Sequence, residues 1–96
     1  MDSSCDGLEA YPWPRSYQQA IADARRGVRK PTAHIQAEMI IDPNGNITHL
    51  RFTRLSSLDN LNRLAYDDLK KRHYKPTVLD GEQICVYSTV DIGFDF

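Results

Sequence analysis

Apolar residues recur at every second position from Ile84 to Phe96: Ile84, Val86, Val90, Ile92, Phe94 and Phe96, with Ser88 the one gap. Side chains on a strand alternate between faces, so this set lines one face. Cys85, Tyr87, Thr89, Asp91, Gly93 and Asp95 line the other. The pattern predicts one long strand ending at Phe96. The same period runs from Thr32 to Ile41, where Ala33, Ile35, Ala37, Met39 and Ile41 share a face. Asp42-Pro43-Asn44-Gly45-Asn46 is a strong turn signal, and Ile47 to Leu55 reads as the return strand of a hairpin. Leu50 and Phe52 share a face there, but Ile47 is out of step. A bulge or a longer loop beside the turn would absorb that slip.

Two stretches carry the helical period instead. From Arg15 to Arg26, Tyr17, Ala20, Ile21, Ala24 and then Val28 recur at spacings of three and four. Ser16 or Arg15 opens this helix, and Gly27 closes it. The second helix starts at Ser56-Ser57-Leu58-Asp59, where Ser56 and Asp59 have the spacing of a capping box. Leu58, Leu61, Leu64, Ala65 and Leu69 predict its buried face. Lys70, Lys71, Arg72 and His73 end it with the charge that a helix C-terminus favours. Tyr74 and Pro76 then force extended chain, and Asp80-Gly81 makes a turn. Residues 1–14 read as an extended arm, because Pro12 and Pro14 push Tyr11 and Trp13 away from helical geometry.

The predicted fold is α+β: a two-layer sandwich with a three-stranded antiparallel sheet and two helices on one face, in the order α-β-β-α-β, over residues 15–96. The pattern leaves open whether the third strand lies beside the first or the second. If the last strand is at an edge, it offers unpaired backbone groups to another chain.

Composition narrows the function. The chain has 96 residues with 12 Lys and Arg against 13 Asp and Glu, a net charge of -1. That argues for one domain and against a dedicated nucleic-acid binder, so the basic groups near Arg25 and Lys70 read as helix-end charges. No apolar run reaches the length of a membrane helix. The N-terminus is acidic and polar, unlike a signal peptide. Cys5 and Cys85 are either two free thiols or one disulfide joining the arm to the last strand. The disulfide would imply an oxidising compartment. His34, His49 and His73 have no paired spacing, so no metal or other cofactor is expected. No nucleophile–base arrangement or phosphate-binding glycine loop is visible, and the chain does not read as an enzyme. Trp13, the sole tryptophan, either anchors the arm or belongs to an aromatic binding surface.

The hairpin turning at Asn44-Gly45, the helix ending Lys70-Lys71-Arg72-His73-Tyr74-Lys75-Pro76 and the strand closing Val90-Asp91-Ile92-Gly93-Phe94-Asp95-Phe96 together resemble the C-terminal domain of TonB, the periplasmic energy transducer of Gram-negative bacteria. Tyr11-Pro12 is similar to the Tyr-Pro that precedes that domain. The full helix before the hairpin is more like the related domain of TolA. The resemblance implies a periplasmic domain of an inner-membrane-anchored or exported protein, with the anchor and spacer before Met1, or else a stand-alone relative. Its partner would be an outer-membrane receptor peptide, the Ton box, added as a strand to the sheet edge. An inner-membrane complex would supply the force. Backbone pairing is expected from Val86 to Ile92, with Tyr87, Thr89 and Asp91 touching the peptide, Ser88 and Val90 between them, and Tyr11 and Trp13 assisting. A TolA-like envelope module or a homodimer through the same edge is the competing expectation.

Overall fold

The computed structural model describes residues 5–9, 12–27 and 33–93. Its elements are α1 (Asp6–Glu9), α2 (Tyr17–Gly27), β1 (His34–Ile41), β2 (Ile47–Arg54), α3 (Asp59–Lys71), β3 (Thr77–Leu79), β4 (Glu82–Ile84) and β5 (Val86–Gly93). The main sheet is antiparallel in the order β2-β1-β5, and β3 and β4 form a separate two-stranded ribbon. With α2 and α3 on one face, this is the α+β class the pattern predicts. The third strand of the sheet lies beside the first.

The β1–β2 hairpin follows its sequence closely. Asp42 Oδ1 accepts from the N–H groups of Asn44 (2.9 Å) and Asn46 (2.8 Å), which ties the turn to its own first residue. Ile40 faces His49 while Ile41 faces Ile47, so one extra residue is inserted beside the turn. That irregularity returns Ile47 to the core with Leu50 and Phe52. Gly45 has φ of 90°, and a Cβ there would lie 1.9 Å from the Tyr74 carbonyl oxygen. The Tyr74 N–H donates to the Gly45 carbonyl at 2.8 Å. Only glycine allows both the backbone conformation and this close approach.

Helix α2 is capped by Ser16, whose Oγ accepts from the Gln19 N–H at 3.1 Å. The Gln19 side chain reaches back to the Arg15 N–H at 2.9 Å, a reciprocal arrangement. Ala20, Ile21 and Ala24 face the core with Ile35, Ala37 and Met39 of β1. Tyr17 joins the two helices: its hydroxyl donates to Asp59 Oδ1 at 2.8 Å, and its ring meets Tyr66 edge-on at 5.4 Å. Tyr66 in turn lies 6.0 Å from Phe52 of β2.

Four expectations need correction. The Ser56–Asp59 capping box does not form, and Leu58 occupies the cap position without a side-chain bond. Ser56 instead closes a turn on Leu58, with Oγ donating to the Leu58 carbonyl at 2.9 Å. Asn62 holds the Ser56 backbone at both ends, accepting from its N–H at 2.9 Å and donating to its carbonyl at 3.2 Å. Asp59 is engaged by Tyr17. The apolar stripe of α3 is also wider than its buried face, since Leu58 and Leu64 stay exposed while Ala65 and Leu69 are buried. The long last strand is broken at Cys85: Ile84 belongs to the β3–β4 ribbon, and the sheet strand starts at Val86. The ribbon turns on Asp80 and Gly81, both with positive φ, as a tight hairpin requires. Finally, the arm is not wholly extended, because Asp6–Glu9 forms one helical turn.

That arm makes a second, smaller core on the face of the sheet opposite the helices. Ile40 is fully buried there with Trp13 and Cys85, and Cys5 and Leu8 pack against them. The Trp13 indole N–H donates to the Leu8 carbonyl at 2.8 Å. Cys5 and Cys85 are joined by a disulfide across 80 residues of sequence. Of the two states the sequence leaves open, this is the one observed.

Candidate functional site: the outer edge of β5

Strand β5 pairs with β1 along its whole length, from Ile41 opposite Val86 to His34 opposite Gly93. Among the described residues nothing pairs with its other side, so its outward N–H and C=O groups form an open edge eight residues long. The opposite edge, β2, is partly approached by the arm: Pro12, Trp13, Pro14 and Arg15 share a cleft with Thr48, His49 and Lys70.

Side chains alternate along β5 as a sheet requires. Val86, Ser88, Val90 and Ile92 point toward the helical layer and are half-buried, whereas Tyr87, Thr89 and Asp91 are exposed on the other face. Tyr87 sits opposite Ile40, Thr89 opposite Glu38 and Asp91 opposite Gln36. Asp91 accepts from Gln36 Nε2 at 3.0 Å and lies 3.4 Å from His34 Nδ1. Thr89 and Asp91 border a shallow depression of about 240 Å³ with Gln36, Glu38 and Thr53.

A polar ladder runs from this edge back to the arm. Burial pushes the Tyr87 hydroxyl pKa up, helped by a hydrogen bond and the negative charge of Glu38. Glu38 Oε2 accepts from Arg51 at 2.6 and 2.9 Å. The Arg51 guanidinium lies 5.7 Å from the Trp13 ring centroid. The ladder therefore ties β5, β1, β2 and the arm together on one face.

Trp13 belongs to this face but is only 9 % exposed, so it anchors the arm rather than presenting its ring. Tyr11, and the strand positions from Phe94 to Phe96, lie outside the described residues. The sequence pattern does not mark Arg51 and Glu38 as part of this face. Their cross-strand register, which a single chain's pattern does not reveal before pairing is known, is what brings them between Trp13 and Tyr87. Among the described residues no group of three or more His, Cys, Asp or Glu side chains is placed to hold a metal ion. No described helix is long and apolar enough to cross a membrane. No family model, curated protein or solved structure matches this chain.

Proposed function

We propose that this domain captures an extended peptide by adding it as a strand to the outer edge of β5, and that it does so as a TonB-like energy transducer of the Gram-negative envelope. The captured segment is the Ton box of an outer-membrane receptor, and an inner-membrane complex supplies the force passed to it. The observation that carries this reading is the open edge of Val86–Gly93, paired along its other side with β1. Strand addition needs such an edge, because main-chain hydrogen bonds supply the affinity and alternate side chains the selectivity.

The disulfide supports the same reading in two ways. It fits an oxidising compartment such as the periplasm. It also joins the arm covalently to the residue just before β5. A pull arriving along the arm at Cys5 reaches the capture strand through one S–S bond, without passing through the residues between.

The test is a fluorescence anisotropy titration of the oxidised domain with Ton-box peptides and a scrambled control. Saturable binding of the Ton-box peptides alone is the expected result. Equal binding of the scrambled peptide, or no binding at millimolar concentration, would reject the transducer reading in favour of a TolA-like module or a strand-paired homodimer.

A further inference from the structure

Helix α3 carries more apolar surface than the domain buries. Leu64 is 63 % exposed, although it lies on the stripe shared with the buried Ala65. The sheet below shows the same deficit. Inward-facing Ile35, Ala37 and Met39 of β1 are buried, but Val90 and Ile92 of the neighbouring β5 are only half-covered. Between helix and edge strand an open groove of about 270 Å³ is lined by Leu61, Leu64, Ala65 and Ile92, with Asp68 and Arg72 on its rim. Among the described residues, the helical layer thus stops short of the sheet's open edge.

A strand added to β5 would lie roughly 4.8 Å beyond it. Cross-strand partners share a face. Residues of the added strand opposite Val90 and Ile92 would therefore point toward the helical layer and into this groove. The residue between them would stand opposite Asp91 on the other face. The Asp91 carboxylate is 55 % exposed, and its two partners, His34 and Gln36, both come from β1, on the side away from the open edge. Opposite charges on facing strands attract and like charges repel.

Resting on the strand-capture reading above, we infer that the edge selects an extended peptide with an apolar–cationic–apolar triplet, the cation opposite Asp91 and the apolar residues opposite Val90 and Ile92. The triplet reads the same in both directions, so it fits a parallel or an antiparallel strand. In the register centred on residue 91, charge separates this occupant from a second copy of the chain. Two copies pairing antiparallel about residue 91 would set Asp91 against Asp91, with its own sequence Val90-Asp91-Ile92 supplying an anion where the site favours a cation.

The test uses the oxidised full chain and synthetic nine-residue peptides in a Thr/Gly/Ser frame, with cores Val-Lys-Val, Val-Glu-Val and Ser-Lys-Ser. Val-Lys-Val is expected to bind tightest, with Val-Glu-Val weaker by about tenfold and Ser-Lys-Ser weaker by at least about tenfold. In the Asp91→Lys variant the order of the first two inverts. In Leu64→Ser, Val-Lys-Val binding weakens several-fold while the thermal midpoint stays put, since Leu64 is already exposed in the free chain. Equal affinity for Val-Lys-Val and Val-Glu-Val, or an order unchanged by Asp91→Lys, overturns the triplet and leaves strand capture standing. Failure of all three peptides and of the Ton-box peptides to bind overturns both, as does a concentration-dependent dimer that excludes peptide.

Discussion

Breaking the Cys5–Cys85 link should remove a large share of the domain's stability. The bond spans 80 residues of sequence, nearly the whole chain. In the chain-entropy account, closing a loop of that length removes about 4.5 kcal/mol of conformational freedom from the unfolded state. A domain of this size is stable by roughly 5–15 kcal/mol in all. Each kcal/mol moves the melting temperature of a small domain by about 4–8 °C. The Cys5→Ser/Cys85→Ser double variant, which leaves no stray thiol, should therefore melt about 20 °C below the oxidised protein. The assay is thermal unfolding followed by tryptophan fluorescence. Trp13 is the only tryptophan and sits beside Cys85 in the arm's own cluster, so its emission reports the arm directly. A drop of less than 5 °C would refute the argument, showing that the staple adds little constraint to the unfolded chain.

Other substitutions separate tight sites from tolerant ones. Gly45→Ala forces a Cβ into the Tyr74 carbonyl and a left-handed backbone onto alanine, and should cost at least about 3 kcal/mol in urea unfolding. Asn62→Ala strips the buried Ser56 backbone of both its bonds to the Asn62 side chain, and should cost about 1–3 kcal/mol in the same assay. Leu64→Ser, on the same helix but exposed, should change stability by less than about 0.5 kcal/mol. The Tyr17 hydroxyl pKa is pushed up to about 12, by burial first and then by its bond to Asp59. Its folded pKa exceeds the unfolded value of 10.0, so the contribution is whole below pH 10 and is lost as pH rises toward 12. Tyr17→Phe should lessen that decline and the late tyrosinate absorbance change, to which the raised Tyr66 and Tyr87 also contribute; a wild-type titration complete by pH 10.5 would contradict it.

Much of the architecture follows from local pattern. The period-two run over Ile35–Ile41, the Asp42–Asn46 turn and the misfit at Ile47 together specify a bulged hairpin, because each is a short-range property. The stripe through Ala20, Ile21 and Ala24 likewise marks the face of α2 that the core buries. Where the pattern misleads, a non-local contact decides. Ile40 lies on the face the alternation leaves to solvent, yet it is fully buried because the arm, tied down at Cys5, folds over it. Cys85 continues the alternation in sequence but lies between the ribbon and β5, where its sulfur is bonded to Cys5. Ser56 and Asp59 have capping spacing, but Asn62 and Tyr17 compete for them from a turn and a helix away. The candidate edge is legible in part. Alternation assigns Tyr87, Thr89 and Asp91 to one face. It does not reveal that β5 lies outermost, which depends on the crossover by α3, or that Arg51 and Glu38 connect it to Trp13.

Peptide capture and its selectivity both depend on the outer edge of β5 taking up an added strand. Amide-resolved hydrogen exchange on the oxidised domain, with and without a saturating Ton-box peptide, reports that uptake residue by residue. Alternate amides between Val86 and Gly93 should exchange freely in the unbound domain, since every second N–H faces outward. They should slow on binding, with the β2 edge from Ile47 to Arg54 unchanged. Protection of all the β5 amides before peptide is added, or slowing confined to the β2 edge, would rule out strand addition at β5.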